Sequence, residues 1–138
     1  MVMLEDAIVD IPENRLRYFG GPGKMLLPSP ATIATLIEKI PENKLVTTDL
    51  LRQQLTSQFD VQGTCPITTQ RSLQALANDP ETHVAYWRVI NQDGGLIARF
   101  PGGAAAHADH LRNEGFSIDT QAKVPKVKQF KDSLVRFG

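Results

Sequence analysis

The chain has 138 residues, a usual length for one domain, and its 15 Lys plus Arg balance 15 Asp plus Glu. A neutral chain has no bulk attraction for an anionic partner, so any basic surface must be local. Cys65 is the only cysteine, which excludes an internal disulfide and a cysteine zinc cluster, and no apolar run approaches the roughly 18 residues of a membrane span.

The N-terminus lacks the basic start and apolar stretch of a signal peptide, so the expectation is a cytoplasmic protein. Leu4, Ile8, Val9 and Ile11 offer a short strand, and Leu16, Tyr18 and Phe19 offer apolar anchors. Gly20-Gly21-Pro22-Gly23-Lys24 is a flexible turn. It is not a phosphate loop, because Tyr18 stands where the first glycine belongs and Met25 where a Ser or Thr would meet magnesium.

The first helix is expected over residues 29–40. Ser29 suits an N-cap and Pro30 the first helical position. Ile33, Leu36, Ile37 and Ile40 then make one apolar stripe, which Pro41 ends. Residues 44–47 suit a short strand. A second helix is expected over 48–59, capped by Thr47 or Thr48, with Asp49 at its positive end and Leu51, Leu55 and Phe59 inward. Residues 61–66 read as a connecting loop.

The third helix, over 68–78, buries Leu73, Leu76 and Ala77. Gln70, Arg71, Gln74 and Asn78 form the opposite, carboxylate-free face. Such side chains make paired hydrogen bonds to base edges, and Arg also meets phosphate. An ordinary solvated face is the bland alternative. The second and third helices with the turn between them read as a helix-turn-helix.

Residues 81–103 read as a strand, a turn, a second strand and a break. The run from His83 to Ile90 is rich in β-branched and aromatic residues, and residues 91–95 contain the Asp93-Gly94 turn pair. Leu96, Ile97, Ala98, Arg99 and Phe100 are expected to pair back, making a wing. Gly102-Gly103 then releases a helix over 104–113, with Ala104, Ala108 and Leu111 inward and His107 and His110 one turn apart. No third ligand is spaced for a metal, and surface histidines are the commoner reading. Val127, Phe130, Leu134 and Phe137 stand at helical spacing and predict a last helix packing on the domain. Its outer face would be basic: Lys123, Lys126, Lys128, Lys131 and Arg136 against Asp132, five minus one, give +4 over residues 120–138.

The stretch after residue 80 resembles the C-terminal domain of the O6-alkylguanine-DNA alkyltransferases and the alkyltransferase-like proteins. That family carries Pro-Cys-His-Arg-Val, a short turn, Gly-Gly, and a helix ending in Leu-x-x-Glu-Gly. Ala85-Tyr86-Trp87-Arg88-Val89-Ile90, Gly102-Gly103 and Leu111-Arg112-Asn113-Glu114-Gly115 stand in those places. The resemblance reaches back to Ile40-Pro41 and covers about residues 30 to 116. It implies an α+β fold: a small winged helix-turn-helix domain, mostly helical with a short β-hairpin wing. The whole chain would be one domain with its core over 30–116, and residues 1–29 and 117–138 would pack on it as extensions.

The resemblance also assigns roles. In the family a cysteine takes the alkyl group from a flipped base, a histidine activates it and a glutamate orients the histidine. Tyr86 stands at the cysteine position and Trp87 at the histidine position, and only Glu114 of the relay remains. A phenol with an ordinary pKa of about 10 and an indole cannot replace a thiolate and its base. Alkyltransferase-like proteins also lack the cysteine, usually with Trp in its place, and bind alkylated DNA and recruit repair. The family's arginine finger matches Arg71 with one gap, or Gln70 without one. Its phosphate-rotating tyrosine falls on Thr48. Phe100-Pro101 stands for the family's Tyr-Ser and removes two polar groups.

The implied function is non-enzymatic binding of double-stranded DNA, with or without an alkylated base, as a lesion sensor in repair working with repair proteins. A monomer without cofactor or metal is expected. The implied DNA contacts are Thr48, Gln70, Arg71, Gln74 and Asn78. The implied lesion pocket is Tyr86, Trp87, Arg88, Asn91, Phe100 and Glu114. Two alternatives stand beside it. One is a winged-helix module with a reassigned pocket, acting through protein contacts or general DNA affinity. The other is residual alkyl transfer by Cys65, which lies where a positive helix end can lower its pKa.

Overall fold

A computed structural model describes residues 5–137. Leu4, read with the first strand, lies outside them. The expected first strand forms as β1 (Ala7–Asp10), antiparallel to β2 (Lys24–Leu27) with Ala7 opposite Leu27. Between them, a short helix α1 (Leu16–Phe19) ends on Gly20 in the left-handed conformation. β2 also pairs in parallel with β4 (Gly63–Thr64), so the expected loop over 61–66 contains a strand.

Helix α2 (Pro30–Ile37) starts as its sequence directs. Ser29 Oγ accepts from the Thr32 amide at 3.2 Å, and Asp6 takes the Ser29 amide at 2.8 Å and the Thr32 hydroxyl at 2.7 Å. Two tighter turns carry the chain on to Ile40. Ile33, Leu36, Ile37 and Ile40 are buried as expected. β3 (Val46–Thr47) leads into α3 (Thr48–Gln58), with Thr47 at the N-cap position but making no side-chain cap bond. Helix α4 (Pro66–Asn78) begins two residues before the expected start, with Pro66 at its first position. Proline costs nothing there, because that amide has no partner in a helix. Ser72 fixes α4 to the strand end before α2 by donating to the Pro28 carbonyl at 2.7 Å. Leu26, Leu36, Ile37, Val46, Leu51 and Leu73 meet in the main core.

The expected hairpin over 83–100 does not form. Tyr86–Arg88 is one 3-10 turn, and β5 (Val89–Ile90) pairs in parallel with β3, Val46 opposite Val89. The turn itself is present: the Asn91 amide donates to the Gly95 carbonyl at 2.9 Å. Its second arm pairs elsewhere. Leu96 donates to Pro125, Val127 donates to Gly94, and Gly95 bridges Lys126. β3 and β5 are both buried, so pairing them with each other satisfies backbone groups that water cannot reach.

Helix α5 (Gly103–Asn113) follows Gly102, whose φ is +80°. A Cβ on Gly102 would sit 2.5 Å from the Ala106 Cβ, so the position needs glycine on two counts. The expected C-terminal helix is also absent. β6 (Ile118–Asp119) pairs with β7 (Lys126–Val127), a 3-10 turn spans Phe130–Ser133, and Leu134 bridges Leu45. Gln129 at φ +54° breaks the helical path. Leu134, Val135 and Phe137 still pack on the cores. Among the described residues, no helix is long and apolar enough to cross a membrane.

Candidate nucleic-acid interface

The residues at the family's reactive positions form a closed aromatic cluster. Tyr86 is 8% exposed and meets Trp87 and Phe100 edge-on, at centroid distances of 5.2 and 5.0 Å. Burial pushes the Tyr86 phenol above its ordinary pKa, which keeps it neutral. Trp87 stacks flat on His110 at 4.2 Å. Its indole N–H donates to Glu114 Oε2, and Arg88 Nε donates to Glu114 Oε1 at 2.9 Å. Arg88 Nη1 also donates to the Ile40 carbonyl at 2.7 Å. Glu114 thus accepts from an indole and a guanidinium, neither of which can take up a proton.

His107 is buried at 1% exposure, not on the surface as its sequence reading has it. The Ile97 amide donates to its Nδ1 at 3.0 Å, so Nε2 carries the proton and donates to the Trp87 carbonyl at 2.7 Å. Burial, against that Trp87 bond and with help from His110, brings its pKa down to about 4. Both nitrogens are committed, and among the described residues no three His, Cys, Asp or Glu gather as metal ligands.

An open pocket of about 200 Å³ lies in front of this cluster. Five residues singled out in the sequence line it: Thr48, Gln70, Gln74, Asn91 and Phe100. Phe100 joins pocket and cluster, since its other edge meets Tyr86. Tyr86, Trp87, Arg88 and Glu114 do not line it. Arg71 and Asn78 lie on the exposed side of α4 beside it, with Asn78 Nδ2 donating back to the Gln74 carbonyl at 2.8 Å. Sequence reasoning missed Arg52, Thr69, Ile97 and Arg99 in the lining. Arg52 could have been found, because it stands one helical turn after Thr48 on the same side of α3.

No family model matches the chain, and no curated protein matches it. Solved structures do. The fold is shared with S. pombe Atl1. Atl1 in complex with damaged DNA containing O6-carboxymethylguanine matches with a TM-score of 0.60 at 22% identity, over 78% of this chain and 94% of the Atl1 chain. A second structure, S. pombe ATL in complex with DNA, matches with a TM-score of 0.61 at the same identity and coverage. The alkyltransferase-like architecture expected from the sequence is therefore present as a small mixed α+β domain. Atl1 covers nearly its whole length in the match, so the fold of the chain accounts for all but a small part of that protein.

Cys65 lies at the N-cap of α4 and is 4% exposed. Burial raises its pKa, but hydrogen bonds from Thr68, Arg15 and the Ile67 amide outweigh that and leave it below the ordinary thiol value. Arg15 Nη1 donates to the sulfur at 3.4 Å. The thiol packs with Ile11 and Met25, and Cys65 does not itself line the pocket, although its carbonyl accepts from the hydroxyl of the lining residue Thr69 at 2.7 Å.

Proposed function

We propose that this protein binds double-stranded DNA without enzymatic chemistry and senses an alkylated base. The observation that carries the reading is an open, base-sized pocket beside the polar face of α4, in a fold shared with a protein crystallised on damaged DNA. In this reading α3, the turn through β4 and α4 act as a helix-turn-helix. The turn at 91–95, paired with residues 124–127, acts as the wing. Gln70, Arg71, Gln74 and Asn78 face the duplex, and Thr48 meets phosphate. Arg71 fills the stack that a flipped base leaves. Flipping costs a few kcal/mol, which the pocket must return through stacking on Phe100 and hydrogen bonds from Gln70, Gln74 and Asn91.

The absence of transfer chemistry follows from Tyr86. A neutral, buried phenol stands at the acceptor position in place of a thiolate, and Trp87, at the position of the base, offers only a donor. The test pairs binding with mass. In a gel shift on matched duplexes with and without one O6-methylguanine, the protein should bind and prefer the modified duplex. Its intact mass afterwards should be unchanged. A stoichiometric gain of one methyl, abolished by Cys65→Ala, would replace this reading with alkyl transfer.

A further inference from the structure

One wall of the pocket belongs to no helix or strand. Ile97, Arg99 and Phe100 line it from the segment between the 91–95 turn and α5. A segment of this kind keeps its shape only through what its backbone is tied to. Its two ends are tied by main-chain bonds. The Leu96 amide donates to the Pro125 carbonyl at 2.9 Å, and the Gly103 amide donates to the Phe100 carbonyl at 2.8 Å. Between them the Ile97 amide donates to His107 Nδ1 at 3.0 Å. The same imidazole meets the Phe100 ring edge-on at 4.9 Å, and its Nε2 donates to the Trp87 carbonyl at 2.7 Å. His107 thus holds the pocket wall with one nitrogen and the turn at the family's reactive positions with the other. The ring is 1% exposed and does not line the pocket. An aliphatic side chain would fill that space without burying two polar atoms, so the worth of the imidazole lies in the two backbone groups it satisfies. Burial brings its pKa down to about 4, so at neutral pH the Nδ1 lone pair is free to take the Ile97 amide.

We propose that His107 is a positioning residue of the pocket. By accepting from the Ile97 amide it holds the wall from Ile97 to Phe100 where a flipped base fits, and so sets the preference for a modified base without touching that base. The inference rests on the reading of the protein as a sensor of modified bases.

Two substitutions separate the two arms of the ring. His107→Asn keeps an acceptor oxygen near the place of Nδ1 and loses the reach to Trp87. His107→Gln keeps an amide N–H near the place of Nε2 and leaves the Ile97 amide without its acceptor. Affinities for matched duplexes with and without one O6-methylguanine are measured for both variants and the wild type over a range of salt. His107→Asn should keep the wild-type ratio of the two affinities. His107→Gln should lower that ratio about fivefold, the factor that one net hydrogen bond gives. Plain-duplex affinity and its salt dependence should stay as in the wild type for both, because the phosphate contacts are untouched. Circular dichroism checks that the variants fold. His107→Leu, which fills the space with neither bond, stands in for His107→Gln if the glutamine variant does not fold. The proposal is overturned if the ratio survives His107→Gln or if both variants lower it equally. It is also overturned if plain-duplex affinity falls in step with the ratio, which would make His107 a support of the fold alone. A wild-type ratio of one would instead sink the sensor reading itself, and the role of His107 with it.

Discussion

Single side chains decide what this protein can do chemically. Tyr86 and Trp87 take the two positions where the family resemblance places a thiol and its base, and the structure closes them into an aromatic cluster behind Phe100. His107 props that cluster through the Trp87 carbonyl, and its state sets a pH dependence. Its folded pKa of about 4 lies below the ordinary 6.5. Between those values the unfolded chain holds a proton that the fold does not, so stability rises with pH there. The contribution is complete above about pH 6.5, falls as pH drops, and is lost by about pH 4, a change of roughly 3 kcal/mol. Urea unfolding from pH 7 to 4 should show this slope, and His107→Gln should flatten it. These residues were legible as positions in the sequence. Their burial was not: nothing in the spacing of His107 and His110 told that one would be enclosed and the other stacked on an indole.

At the scale of elements, caps and periodicity located the helices. Ser29-Pro30 and the stripe through Ile40 placed α2, and Leu73, Leu76 and Ala77 placed α4. Pairing partners were the illegible part. Val89-Ile90 could pair with the arm after the turn or with Val46-Thr47, and only the packed core chooses. The C-terminal segment had helical spacing, yet Gln129 enters the left-handed region and Phe130 packs where Gly94 leaves room. The pocket was half legible for the same reason. Thr48, Gln70, Gln74, Asn91 and Phe100 each stand out in the sequence, but the meeting of α3 with the segment before α5, which brings in Arg52 and Arg99, is tertiary. Gly102 fixes the entry of that segment into α5. Gly102→Ala should cost about 2 kcal/mol, from the left-handed backbone and the contact with Ala106 together, and a thermal melt reads it.

The whole molecule is electrically neutral, so no global field draws it to nucleic acid. Affinity must come from local contacts, with phosphates supplying most of it. Binding to plain duplex should weaken linearly in log–log terms as salt rises, by about 0.9 per phosphate neutralised, and Arg71→Ala should lower that slope by about 1. The central claim is that α4 presents a duplex to a pocket that tells a modified base from a normal one. Its most direct test is the ratio of affinities for duplexes with and without O6-methylguanine, measured for the wild type, Arg71→Ala and Tyr86→Ala at low salt. The account predicts a ratio above one for the wild type. It predicts a ratio near one with weaker overall binding for Arg71→Ala, and a reduced ratio with plain-duplex binding kept for Tyr86→Ala. A wild-type ratio of one, with Arg71→Ala lowering both affinities equally, would contradict the sensor and leave only a general DNA-binding domain.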